Sequence, residues 1–231
     1  LNCSTLCMNR CRRNWRFDMR PSDVTLAFAK LWAGGRLATD GTDGFRPSKH
    51  TDGTPRLAQG PRFTAIVRTH LYGHEPIGVY PLTDNDTVGW CGVDLDEGDH
   101  DSIIHAANLA EVAAHFGITA WTELSRSKGC HCLIFLTEQT SAALARLAMK
   151  AACQIADAPS LEVYPKQVTA DGGWGNGLRL PYGRLRPPGR QVVITDTLQE
   201  MPVDQWVQAA TAKRTTPPQL EALAAVHAIS S

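Results

Sequence analysis

Val88 to Asp96 reads V-G-W-C-G-V-D-L-D, an apolar run ending in two carboxylates, Asp94 and Asp96, with one leucine between them. Residues i and i+2 of a β-strand point to the same face, so the pair can share one cation. Val88, Trp90, Cys91 and Val93 mark that strand as buried. Acids in such a strand are costly unless a metal or hydrogen bonds compensate them. A D-x-D pair is also a common solvated turn, so the surrounding sequence has to decide.

Downstream, Asp101-Ser102 predicts the cap of a helix running to Phe116, with Ile103, Ile104, Ala107, Ala110 and Phe116 on one face and Gly117 as its stop. Ile118 to Leu124 reads as a strand, Ser125 to Gly129 as a turn, and His131 to Leu136 as a second strand. Ser141 to Asp157 reads as a helix ended by Pro159, and Leu161 to Tyr164 as a short strand. With the D-x-D strand the series is β-α-β-β-α-β, the ferredoxin-like or RRM-like unit of an α+β fold.

Upstream, Pro21-Ser22-Asp23 opens a helix, Val24 to Trp32, closed by Gly34-Gly35. Residues 36 to 61, rich in Gly, Asp, Thr and Pro, read as a long, substrate-facing loop. Phe63 to Val67 and Ile77 to Leu82 are strand-like, and Asp84-Asn85-Asp86 is a turn. Beyond the core come a Gly-rich loop (Gly172 to Gly177), strands at Leu178 to Pro181 and Gln191 to Thr195, and a short helix at Pro202 to Ala210. Residues 211 to 218 look like a linker. The expected organisation is a basic, Cys-bearing leader at 1–20 and a domain at 21–210. That domain divides into an N-terminal α/β subdomain (21–87) packed against an RRM-like core (88–210). Residues 211–231 then form a linker or the start of a further helical segment.

The 231-residue chain has a formal net charge of +0, so no global field attracts a polyanion. Its distribution is uneven. Arg10, Arg12, Arg13, Arg16 and Arg20 make the leader basic, and Arg179, Arg184, Arg186 and Arg190 form a second strip without acids. Asp94, Asp96, Glu97, Asp99 and Asp101 form an acidic knot between them. Separate acids and basic strips suit an enzyme that handles phosphates, although solvated charge runs give the same pattern. No segment is long and apolar enough to span a membrane and no secretory signal is visible, which predicts a cytoplasmic protein. The seven cysteines are scattered and mostly lie in apolar patterns, which favours free thiols. Cys3, Cys7 and Cys11 could recruit zinc, but the C-x2-C knuckle and a fourth ligand are missing.

On this topology the carboxylate strand and the His131 strand are central neighbours, and the Glu162 strand joins the same sheet. Three carboxylates converging on one face make an oxygen-rich site for Mg²⁺ or Mn²⁺ rather than zinc. Two such ions can activate a sugar 3′-hydroxyl and stabilise charge on a transferred phosphoryl group. Ser127-Lys128-Gly129, just before His131, adds a hydroxyl, a cation and close backbone approach, all useful around a triphosphate. Taken singly, His131 is also readable as a strand histidine bound to a backbone carbonyl, and Glu162 as a surface acid.

Asp94-x-Asp96, Gly129-x-His131 and Leu161-Glu162 resemble, in order, the three signature motifs of the archaeo-eukaryotic primase superfamily. G-V-Y-P-L (78 to 82), V-D-L-D, H-C-L-I-F-L, E-V-Y-P-K-Q (162 to 167) and G-N-G-L-R-L-P (175 to 181) resemble the primase-polymerases of phages, plasmids and bacterial conflict systems. The similarity covers about residues 22 to 200. It implies template-directed nucleotidyl transfer from dNTPs or NTPs onto a primer on a DNA template. Asp94, Asp96 and Glu162 would hold the metals, and His131 would meet the phosphates of the incoming nucleotide. Ser127, Lys128, Gly129, Lys166 and Arg179 would supply further nucleotide contacts, with Arg184, Arg186 and Arg190 on nucleic acid. Tyr80 would act as a sugar gate crowding the 2′ position; by itself it is equally a core aromatic at a strand end. Family members often carry a zinc module or a helicase beyond the core, which makes a helicase a candidate partner.

Two other readings share the core topology. A replication-initiator endonuclease needs a His-hydrophobe-His pair and a nucleophilic tyrosine on a helix. The strand His131-Cys132-Leu133 lacks the second histidine, and Pro165 after Tyr164 argues against a helix. A non-catalytic single-strand-binding module would favour aromatics in a basic groove. Only Trp174 and Tyr182 lie near the basic strip.

Overall fold

A computed structural model describes residues 19–32, 36–41, 44–47, 51–52, 60–73, 76–126, 128–160, 162–172, 175–183 and 191–230. The elements are α1 (Pro21–Trp32), β1 (Arg36–Gly41), β2 (Gly44–Pro47), α2 (Gly60–Leu71), β3 (Ile77–Tyr80), β4 (Thr87–Leu95), α3 (Asp99–His115), β5 (Trp121–Leu124), β6 (Cys130–Ser141), α4 (Ala142–Ile155), β7 (Val163–Tyr164), β8 (Leu178–Arg179), β9 (Val193–Ile194), α5 (Val203–Ala212) and α6 (Pro217–Ser230). They form two antiparallel sheets, β2-β1-β3-β8 and β7-β4-β6-β5-β9. The run β4-α3-β5-β6-α4-β7 is the β-α-β-β-α-β unit, with its first and third strands side by side at the centre as that topology requires.

Alternation along β4 and β6 separates two cores. Cys91, Val93 and Leu95 of β4 and Cys130, Cys132 and Ile134 of β6 face α3, α4 and α6, where Leu109, Met149 and Leu223 are also buried. Trp90 of β4 and Leu133 and Phe135 of β6 face the other way, toward Phe28 and Trp32 of α1, Trp206 of α5, and Ile77 and Val79 of β3. Val88 should share a face with Trp90, yet it packs under the helices. A register shift between the two residues accounts for the switch. The Trp32 ring meets Trp90 and Phe135 edge-on, with centroids 5.0 and 5.1 Å away. Each such pair adds about 0.5–1.5 kcal/mol beyond the area it buries. The sheet is therefore packed on both faces, with Asp94, His131 and Glu123 at one end and the polar stretch Thr137 to Ser141 at the other.

Several local expectations change. Residues 36–61 contain a hairpin, because β1 finds ladder partners in β2 and β3, with Arg36 opposite Tyr80 and Thr39 opposite Ile77. Strand pairing of this kind overrides weak local propensity. Phe63 to Val67 is helical, within α2: Phe63 and Val67 stand one helical turn apart and both are buried. A short apolar run fits either period. Helix α3 begins at Asp99 after Gly98, so Ser102 lies inside it and its hydroxyl donates to the Leu95 carbonyl at 2.8 Å instead of capping. Ser141 does cap α4, accepting from the Leu144 amide at 3.5 Å.

The segment read as a linker at 211–218 is tied into the core. Thr215 donates its amide to the Phe135 carbonyl at 2.8 Å and accepts from the Thr137 amide at 2.9 Å. Helix α6 then buries Leu220, Leu223 and Ala224 in the core that holds α4. Cys91, Cys130, Cys132 and Cys153 are free and buried, as the apolar setting of the cysteines implied. Cys3, Cys7 and Cys11 lie outside the described residues. Among the described residues no helix is long and apolar enough to cross a membrane.

Candidate active site

Three side chains line up across the middle of the second sheet. Asp94 of β4 is opposite His131 of β6, and His131 is opposite Glu123 of β5. The alternation that buries Cys130 and Cys132 under the helices turns His131 to the other face, together with Asp94 and Glu123. His131 Nδ1 lies 3.2 Å from Glu123 Oε2, and its Nε2 lies 3.5 Å from Asp94 Oδ1. Glu123 is 0% exposed and His131 4%.

Sequence reasoning missed Glu123. In W-T-E-L a polar residue reads as outward-facing, and nothing local distinguishes it. The signal that finds it is hairpin register: with Leu124 opposite Cys130 across the Ser125–Gly129 turn, Glu123 must face His131.

Burial shapes the charges. Desolvation pushes the Asp94 carboxyl above its usual range; His131 pulls it down, while Asp96 and Glu162 push it further up. Burial likewise raises Glu123, against the charge and hydrogen bond of His131. Burial takes basicity from His131, but the charge and hydrogen bond of Glu123, with the charges of Asp94 and Asp96, together raise it above its ordinary value. Asp94 Oδ1 is buried and has no hydrogen-bond partner. A buried carboxylate oxygen in that condition is short of a cation or a donor.

The turn before His131 is held against the end of β4. Gly129 has φ +71°, and a Cβ there would lie 2.0 Å from the Leu95 carbonyl oxygen, so this position needs glycine on two counts. Its amide donates to Asp99 Oδ1 at 2.9 Å. Lys128 reaches across to the Asp96 carbonyl at 2.9 Å, which brings its ammonium to the acidic end of the sheet. Asp96 itself is just past β4 and exposed.

Glu162 precedes β7 on the opposite side of β4. The Asp94 amide donates to its carbonyl at 3.1 Å, which sets the two acids on adjoining chains. Its carboxylate is paired with Lys166. Arg146 of α4 braces this edge, donating to the Val163 and Pro165 carbonyls at 2.9 and 2.6 Å, on either side of a cis Tyr164–Pro165 bond. Tyr164 is buried, and its hydroxyl is pushed above its usual range, first by burial and then by Asp94, Glu162, Asp96 and Tyr80. Tyr80 stands on β3 of the other sheet. It is 6% exposed, and a Cβ on Gly177 would come within 3.3 Å of its ring. Arg179 of β8 is opposite Gly78, two residues from Tyr80 along that strand pair. Ser127, Arg184, Arg186 and Arg190 lie outside the described residues.

Residues 55–223 match the family described as the TOTE conflict system, Archaeo-Eukaryotic Primase domain (AEP-TOTE). The chain belongs to this family. Among solved structures, the AEP-TOTE domain is similar to the "Polymerase Domain from Mycobacterium tuberculosis Ligase D in complex with DNA". The identity is 17% and the TM-score 0.46, over 89% of this chain and 92% of that one. No curated protein matches it.

The divalent cation that the primase resemblance implies can be judged against the donors present in this AEP-TOTE domain. Asp94, Asp96 and Glu162 offer only carboxylate oxygens, the donor type of Mg²⁺ and Mn²⁺, and Asp94 Oδ1, which makes no hydrogen bond and meets His131 Nε2 at 3.5 Å, has room to accept one. The fit is incomplete as the side chains stand: among the described residues no three acid, histidine or cysteine groups close on a common point. Glu162 is turned to Lys166.

Proposed function

We propose that this AEP-TOTE domain is a primase-polymerase. It would transfer nucleotidyl groups from dNTPs or NTPs to a primer or initiating nucleotide on a DNA template, with Mg²⁺ or Mn²⁺. The observation that carries the reading is the cross-strand register of Asp94 with His131, together with the Asp94 amide bond to the Glu162 carbonyl. This arrangement gathers an acid pair, a histidine and a third acid from three neighbouring strands.

Asp94, Asp96 and Glu162 would hold the metal, which when bound supplies acidification of the attacking 3′-hydroxyl and neutralisation of charge on the transferred phosphoryl group. The chain's own residues do the rest. His131 donates from Nε2 to a phosphate oxygen, with Asp94 as its stand-in partner when no nucleotide is present. Lys128 and Lys166, now on the Asp96 carbonyl and the Glu162 carboxylate, exchange those partners for triphosphate oxygens. Ser127, Gly129 and Arg179 add nucleotide contacts. Arg184, Arg186 and Arg190 track the nucleic-acid backbone. Tyr80 crowds the sugar from the first sheet.

Extension of a primed DNA template with dNTPs and Mn²⁺, followed on a denaturing gel, tests the reading. Extension abolished by Asp94→Ala/Asp96→Ala supports it. No extension by the parent protein, or undiminished extension by the double variant, refutes it. An unprimed template with NTPs and dNTPs side by side reads priming and sugar choice. Unchanged discrimination in Tyr80→Ala would discard the gate.

A further inference from the structure

Glu123 is used by none of the steps above, yet it is the most deeply buried acid of the sheet, at 0% exposure. An ionisable group in that position is costly unless a specific partner fixes it there. Its partner is one imidazole nitrogen: Oε2 is 3.2 Å from His131 Nδ1, and the two residues are directly opposite in the β5–β6 ladder. With Nδ1 engaged, the ring has one free nitrogen, and Nε2 points back across the sheet toward Asp94 Oδ1 at 3.5 Å. The other oxygen of Glu123, Oε1, is buried and makes no hydrogen bond, with the buried Gln191 acting on the carboxylate from nearby. Among the described residues, Glu123 meets the face that holds Asp94 through His131.

We propose that Glu123 is a positioning residue for nucleotide binding, locking His131 through Nδ1 so that Nε2–H is presented to a phosphate oxygen of the incoming triphosphate. This rests on the nucleotidyl-transfer reading above and extends it to a residue outside the three motifs. A histidine held at one ring nitrogen by a carboxylate has its tautomer and ring orientation fixed, as in carboxylate–histidine pairs behind metal sites. With Nδ1 turned to Glu123, Nε2 is the ring nitrogen aimed across the sheet, where an anion's oxygen would meet it. The ring also cannot flip without breaking the Glu123 contact, so the donor stays in place before the nucleotide arrives.

The test is a double-mutant cycle on binding of dATP and of inorganic tripolyphosphate, in the presence of Mn²⁺, with Glu123→Leu, Glu123→Gln and His131→Asn in the full chain. Loss of a hydrogen bond that orients a charged donor weakens binding by about ten- to a hundredfold, which is the loss expected for Glu123→Leu. Glu123→Gln keeps shape and one acceptor oxygen, and recovers part of that loss. In the His131→Asn background, Glu123→Leu changes affinity by no more than about twofold. Equal losses in both backgrounds would make Glu123 merely structural and overturn the proposal.

The ¹⁵N–¹H spectrum of histidine-labelled protein without nucleotide gives the second readout. A protected His131 Nδ1–H signal is expected in the parent and the Gln variant, and is absent from the Leu variant. A spectrum unchanged in the Leu variant overturns the anchoring. If the parent binds neither dATP nor tripolyphosphate, the nucleotidyl-transfer reading fails, and the spectrum still decides whether Glu123 holds the ring.

Discussion

Replacing Gly129 with alanine puts a methyl group where the turn before β6 touches the end of β4. The added Cβ would sit 2.0 Å from the Leu95 carbonyl oxygen and 3.2 Å from the Asp96 Cα, both rigid backbone atoms. Real Cβ atoms essentially never come within 3.0 Å of another heavy atom, so the two strands must part by about 1 Å at this point. The φ of +71° adds a backbone penalty of about 1–2 kcal/mol for an L-residue. The forced shift adds about 1–3 kcal/mol, typical of overpacking. Together these lower stability by about 2–5 kcal/mol, which at a urea slope of about 3 kcal/mol/M moves the unfolding midpoint down by about 1 M. The functional loss is larger than the stability loss, because the displaced backbone carries Asp94 away from His131, now 3.5 Å apart, and tugs Lys128 from Asp96. Urea denaturation by tryptophan fluorescence gives the first number. Single-turnover extension on protein still folded gives the second. A midpoint within about 0.2 M of the parent with intact extension would refute the reasoning, since an error below about 0.5 kcal/mol leaves no room for the clash.

Three further outcomes are expected. Lys166→Met frees Glu162, so Mn²⁺ titrated without nucleotide and followed by electron paramagnetic resonance should bind about two- to fivefold tighter, a modest gain because the pair is partly exposed; weaker Mn²⁺ binding would count against Glu162 as a ligand. Arg146→Met removes the donors to Val163 and Pro165, lowering stability by about 2–3 kcal/mol and extension activity with it, while the His131 imidazole signals stay unmoved; an unchanged urea midpoint would show that the brace is idle. Raised histidine basicity gives a pH signature in metal-free protein: the stability from His131 is complete below its ordinary value of about 6.5 and is lost as pH climbs through the raised one. Asp94 and Glu123, raised by burial, act in the same sense, so urea midpoints should fall steadily from weakly acidic to alkaline pH, and a rising midpoint would contradict the assigned directions.

The core topology was legible from strand alternation and helix bounds, although the face expected for α3 was misplaced: Ile104 and Ala107 are exposed, and Ala106, Leu109 and Ala113 are buried instead. Alternation through Cys130 to Phe135 places His131 on the face opposite the helices, and the D-x-D strand obeys the same rule at Asp94. Other parts are settled by pairing across long separations, which local sequence does not encode. β1 and β2, R-L-A-T-D-G and G-F-R-P, carry no sustained apolar alternation and become a hairpin beside β3. Thr215, followed by two prolines after Thr216, has every mark of a linker, and its role rests on backbone bonds to Phe135 and Thr137. Phe63 and Val67 fit a strand or a helix equally until the partner surface is known. Glu123 is the most instructive case: a buried acid reveals itself only when register places a histidine opposite it.

Trp90 has a consequence for measurement. It is fully buried on β4 four residues before Asp94, its ring stacks at 6.3 Å and 28° on Tyr164, and Tyr164 stands two residues after Glu162. A ligand that draws the Glu162 backbone toward Asp94 would shift this tyrosine against the indole face. The protein thus carries an optical gauge beneath the acids: of its six tryptophans, Trp90 is reported by the part of the near-ultraviolet change that Trp90→Phe removes, with no label attached.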